Sequence, residues 1–189
     1  MTDKNQLIEI RWHGRGGQGA VTSAELLAQA AISEGKYAQA FPSFGPERRG
    51  APVLAFVRIS GREPIRIRAE ITQPDAVVVL DPGLLSIVNV ISGLKENGIL
   101  VINTKKSFKD IAAQFKAKCR LAKVDATAIA REILGVPITN TTMVGALVRA
   151  SGVVELESLV EPLKNRFGRL AERNVNAMRK AYEETEVKE

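Results

Sequence analysis

The 189-residue chain is long enough for one domain that buries roughly 70% of the surface its unfolded form exposes, so no disulfide or structural metal is needed to rescue a small core. Hydrophobic residues at 45% and charged residues at 25% exclude a disordered or fibrous chain. Lys and Arg exceed Asp and Glu by 27 to 21, a net +6 that favours anionic partners in general, but the basic residues are scattered and aromatics are only 5%, which argues against nucleic-acid binding.

The polar start, Met1 to Gln6, runs into a strand-like segment without an apolar stretch suited to a signal peptide or membrane span, so a cytoplasmic protein is expected. Leu7 to Trp12 alternates, with Ile8, Ile10 and Trp12 on one face, and predicts a strand ending at His13. After a glycine cluster, Val21, Ala24, Leu27, Ala28 and Ala31 recur at helical spacing through Glu34, with Gly35 as the stop. Lys36 to Phe41 reads as a second strand. Pro42 to Pro52, punctuated by prolines and glycines, reads as a loop.

Val53 to Ile59 and Ile65 to Arg68 predict an antiparallel hairpin around Ser60 to Pro64. Ala76 to Leu80 and Ile99 to Ile102 are continuous β-branched runs of the kind covered on both faces in a parallel sheet, joined through a predicted helix over Leu84 to Leu94 and a turn at Asn97-Gly98. Arg120 to Val124 predicts a further strand, and Ala126 to Leu134 a helix stopped by Gly135. Asn140 or Thr141 offers an N-cap oxygen for a helix through Met143 to Val148, and two amphipathic helices follow, divided near Gly168. Together these elements predict a single domain over residues 1–189. It is an α/β, Rossmann-like three-layer sandwich with a mostly parallel sheet, an inserted antiparallel hairpin and C-terminal helices.

Gly14-Arg15-Gly16-Gly17-Gln18-Gly19 satisfies G-x-G-x-x-G between a predicted strand and a predicted helix, where backbone amides and the helix field suit phosphate. The plain alternative is a tight turn that binds nothing. A dinucleotide site would add an acidic residue about twenty positions on, and Gly35 to Phe41 offers none. Arg48 and Arg49, beside Glu47, suit an anion or a neighbouring subunit, or else are solvated. With Cys119 the only cysteine and His13 the only histidine, the chain is expected to hold no iron–sulfur cluster or zinc. Cys119 reads as a small buried hydrophobe, and His13 as a turn histidine or a ligand contact.

His13 to Gly19, followed by Ser43-Phe44-Gly45-Pro46-Glu47-Arg48-Arg49-Gly50-Ala51-Pro52, resembles the gamma subunit of pyruvate:ferredoxin oxidoreductase and its 2-oxoacid relatives. Val77 to Pro82 and Asn140-Thr141 before Met143-Val144-Gly145-Ala146 are similar to that family too, and the likeness runs from about residue 7 to residue 183. It implies an oxidoreductase subunit in an enzyme that decarboxylates a 2-oxoacid on thiamine diphosphate with Mg, passes electrons through [4Fe–4S] clusters to ferredoxin and forms acyl-coenzyme A. It also implies that thiamine and clusters sit on alpha, beta and delta partner chains, the delta chain being ferredoxin-like. Coenzyme A is the co-substrate expected at Gly14, Arg15, Gly16, Gly17, Gln18, Gly19, Arg48, Arg49, Asn140 and Thr141, unless these loops dock catalytic subunits instead. Pyruvate is the expected substrate, a branched-chain 2-oxoacid the alternative, and a standalone nucleotide-binding protein a more distant one.

Overall fold

A computed structural model describes residues 7–43, 50–115 and 119–188. The strands are β1 (Ile8–Arg15), β2 (Tyr37–Pro42), β3 (Pro52–Ser60), β4 (Ala76–Val79), β5 (Ile99–Asn103), β6 (Arg120–Val124) and β7 (Glu186–Lys188). The helices are α1 (Ala20–Ser33), α2 (Phe108–Gln114), α3 (Ala126–Leu134), α4 (Asn140–Ser151), α5 (Val160–Phe167) and α6 (Ala171–Glu184). One sheet runs β2-β3-β1-β4-β5-β6-β7: β1, β4, β5 and β6 are mutually parallel at its centre, and β2, β3 and β7 run antiparallel to their neighbours.

Strand alternation sorts the interior into two layers. Ile10, Trp12, Val78, Leu80 and Val101 face a core shared with α1, α3, α4, α5 and α6, whereas Val77, Val79, Leu100 and Ile102 face the other side against Leu84, Val90 and Ile111. The three-layer architecture expected from the sequence is therefore present, with five helices on one face and a thinner cover of irregular chain and α2 on the other. The antiparallel hairpin is formed by β2 and β3.

Two expected elements are absent for identifiable reasons. Ile65 to Arg68 forms no strand, because β3 already has β2 on one edge and β1 on the other; the Ile67 carbonyl instead accepts from Arg58 Nη1 at 3.2 Å. Leu84 to Leu94 forms a 3₁₀ turn at Pro82–Ser86 and then irregular chain. The carbonyls of Val90 and Ser92, which a helix would direct along its axis, turn to Arg11 Nη2 at 3.0 and 2.6 Å. The helix after residue 139 is capped by Thr139 without a side-chain bond, so Asn140 and Thr141 lie in its first turn rather than at its cap.

The helical layer is pinned by a close approach of α4 to α6. Gly145 has no room for a side chain: a Cβ there would stand 2.1 Å from the Met178 carbonyl oxygen. Thr141 Oγ1 donates to Asn174 Oδ1 at 3.0 Å across the same interface, with both residues buried. Because backbone cannot yield as a flexible side chain can, Gly145→Ala is expected to cost about 3 kcal/mol by overpacking, read as a lowered urea midpoint at unchanged slope. An unchanged midpoint would mean that the two helices are free to separate.

Candidate functional site

The C-terminal end of β1 delivers Gly14 and Arg15 into a tight turn that becomes α1 at Ala20. Gly19 is the N-cap, with φ 81, and its position lies against α4: a Cβ on it would sit 2.7 Å from Asn140 Nδ2. Only glycine satisfies both that left-handed backbone and that contact. Neither α1 nor α4 has a side-chain N-cap bond or an acidic residue in its first turn. Two helix starts with unneutralised amide dipoles thus meet at Gly19 and Asn140, an arrangement that favours negative charge.

Asp81, at the end of β4, organises the turn from beside it. Its Oδ2 accepts from Arg15 Nε at 2.7 Å and Gln18 Nε2 at 3.2 Å, and its Oδ1 accepts from the Gly83 N–H at 2.7 Å. Gln18 Oε1 in turn accepts from the Arg15 N–H at 2.8 Å. Burial alone would raise the Asp81 pKa; the Arg15 guanidinium, Gly83 amide and Gln18 amide outweigh it and hold the carboxyl below its ordinary value. Arg15 is consequently neutralised by an internal partner, with its Nη1 also on the Gly50 carbonyl at 3.1 Å. Nothing local in the sequence signals this bracing role of Asp81, which depends on a contact across 66 positions.

The turn meets the loop that follows β2. The Gly16 N–H donates to the Ala51 carbonyl at 2.9 Å, and the Gly50 N–H donates to the Gly16 carbonyl at 3.2 Å. Arg48 and Arg49 lie outside the described residues. Asn140 is buried with Oδ1 on the Thr141 N–H at 2.9 Å, and Thr141 is wholly buried with its hydroxyl committed to Asn174. Of the expected contact residues, the structure therefore brings Gly14 to Gly19 and Asn140 together. The Thr141 hydroxyl points into the helical interface.

On the opposite face of β1, Arg11 and His13 are both buried, and Arg11 Nε donates to His13 Nε2 at 3.1 Å. Burial and then the Arg11 charge lower the His13 pKa to about 3, so its ring is neutral near pH 7. Cys119 is half-buried with its thiol pKa raised by burial, as befits a packing residue. Among the described residues no cluster of three or more His, Cys, Asp or Glu could hold a metal ion, and no helix is long and apolar enough to cross a membrane.

A profile of the family described as pyruvate ferredoxin/flavodoxin oxidoreductase matches residues 9–184. The chain belongs to this family. It is 58% identical over 183 residues to the pyruvate/ketoisovalerate oxidoreductases common subunit gamma of Pyrococcus furiosus, covering 96% of this chain and 98% of that one. It is 53% identical over 178 residues to pyruvate synthase subunit PorC of Methanothermobacter marburgensis, covering 94% and 97%. The crystal structure of pyruvate oxidoreductase subunit PORC from Thermotoga maritima superposes with a TM-score of 0.87 at 41% identity, covering 98% of this chain and 100% of that one.

His13 sets a pH dependence with a definite sign. Its folded pKa of about 3 lies below the ordinary 6.5, so its stabilisation is complete above pH 6.5 and declines as pH falls toward 3, because only the unfolded chain takes up the proton. The expected slope from this group is about 1.4 kcal/mol per pH unit. Urea unfolding across that window should be less steeply pH-dependent in His13→Gln than in the parent. Equal slopes would show that the histidine is exposed to solvent protons.

Proposed function

We propose that this chain is the gamma-type subunit of a pyruvate-type 2-oxoacid:ferredoxin oxidoreductase, an enzyme that decarboxylates its substrate oxidatively to acyl-coenzyme A and passes the electrons to ferredoxin. The observation that carries the reading is full-length similarity to relatives named for that enzyme, above 50% identity with both chains nearly covered. Alpha, beta and delta chains are the assigned partners and the cytoplasm the assigned location. The cofactor chemistry of thiamine diphosphate with Mg and of [4Fe–4S] clusters is assigned to those partners; a single cysteine cannot supply the four thiolates that a [4Fe–4S] cluster takes.

The role assigned to this chain is to bind the phosphates of coenzyme A at the glycine turn. Two considerations support it: α1 and α4 both begin without a side-chain N-cap bond or an acidic residue in the first turn, and the far end of the arginine loop is hydrogen-bonded to the turn. Since Asp81 cancels the charge of Arg15, attraction for an anion rests on backbone amides and on Arg48 and Arg49. In the assembled enzyme, Arg48→Ala with Arg49→Ala is expected to raise the coenzyme A KM roughly tenfold or more, consistent with loss of charge-assisted hydrogen bonds, while thiamine diphosphate affinity stays unchanged. An unaltered KM removes the phosphate role, and a loss of assembled enzyme in its place assigns the two loops to subunit docking.

A second reading, 2-ketoisovalerate as substrate, is favoured by one specific observation: the Pyrococcus relative is named as a subunit common to pyruvate and ketoisovalerate oxidoreductases. Both readings agree if substrate choice lies in other chains. Reconstituting this chain with the catalytic subunits of either enzyme should then leave each one's kcat/KM ratio for the two 2-oxoacids unchanged, and a shifted ratio would place selectivity here.

A further inference from the structure

The face of β1 away from the glycine turn holds a cavity of about 410 Å³ whose walls include Arg11, His13, Leu54, Leu84 and Val88, with Asn89 at its exposed rim. Its size is within the usual range for small-molecule sites. Its charge is unusual. Arg11 is a buried cation whose partners are His13 and the carbonyls of Ile71, Val90 and Ser92, with no carboxylate paired to it among the described residues. Glu9, two positions away on the same face, is taken by Arg58, and Glu70 accepts from Ser43 at the cavity's edge.

The bond from Arg11 also fixes the tautomer of His13. A guanidinium can only donate, so Nε2 must be the acceptor and the ring proton resides on Nδ1. That N–H has no hydrogen-bond partner among the described residues; His13 is only 4% exposed and lines the cavity, and its Nδ1 is not one of the sealed, unmatched buried atoms, so it opens onto that space. A donor that opens onto the cavity can be reached by a ligand acceptor without rearrangement of the walls. Arg11, with its nitrogens already committed to four acceptors, supplies charge but few new bonds. A phosphate would demand several donors; a carboxylate needs fewer, and Leu54, Leu84 and Val88 suit an aliphatic body.

We infer that the cavity between Arg11, His13, Leu54, Leu84 and Val88 is a binding site for a small aliphatic carboxylate, separate from the glycine turn. The carboxylate accepts from His13 Nδ1–H under the field of Arg11, and its alkyl chain packs on the leucines and valine.

The test titrates the full chain with hexanoate, hexylamine and inorganic phosphate while following the imidazole nitrogen resonances of His13. Hexanoate alone should give a saturable shift. Leu54→Trp, at a half-exposed position where the larger ring fills the cavity without entering the core, should weaken that response about tenfold or more while the melting curve remains cooperative. His13→Phe, which removes the donor, should weaken hexanoate binding measured by equilibrium dialysis to a similar degree. The inference is overturned if hexanoate gives no saturable shift, if phosphate acts equally, or if Leu54→Trp leaves the response intact. It is overturned too if radiolabelled hexanoate binds the separate chain but is excluded from the assembled enzyme, since a carboxylate side chain of a partner subunit would then be the occupant.

Discussion

Strand β1 is hydrogen-bonded on both edges and covered on both faces, and everything at its C-terminal end depends on that confinement. β3 holds it from one side in antiparallel register and β4 from the other in parallel register. Its even-numbered residues Ile10 and Trp12 enter the helical core, while Arg11 and His13 face the thinner layer. A strand so fixed cannot shift register without moving a guanidinium into hydrocarbon, which makes the position of the following turn a property of the whole sheet.

The turn itself is a device for presenting amides, with its charge balanced internally. Arg15 looks like a ligand-binding cation in the sequence, yet Asp81 claims it, and the same carboxylate steadies Gln18 and the start of the 3₁₀ turn through Gly83. Such a brace favours geometry over attraction. It also differs from a dinucleotide site, where the strand after the first helix runs parallel beside the first; here β2 lies at the sheet margin, separated from β1 by β3. The missing ribose acid noted in the sequence and the displaced second strand point the same way.

Much of this was legible in the residues because the signals were local. The continuous β-branched runs of β4 and β5, the helical spacing of α1, and the left-handed glycines at 35 and 135 each report on their immediate neighbours. Ser107 and Asp110, which form a reciprocal capping box at the start of α2, were an available local signal that the helical spacing did not bring out. What could not be read was decided at long range. Ile65 to Arg68 has strand composition but no vacant edge to join, and Leu84 to Leu94 has helical spacing but carbonyls drawn to Arg11. The pairing of β7 with β6, and the meeting of Gly19 with Asn140, likewise join distant parts of the chain.

The short strand β7 extends the sheet beyond β6. Glu186 and Val187 lie against Lys123 and Ala122, and Lys123 Nζ donates to Glu186 Oε1 at 2.6 Å, so the chain's own tail occupies the outer margin of β6. At the other margin, β2 offers a row of backbone groups to the outside, with Tyr37 exposed there. Both margins of the sheet are short, three residues in β7 and six in β2, which limits the template that either flank offers to a strand of a neighbouring molecule.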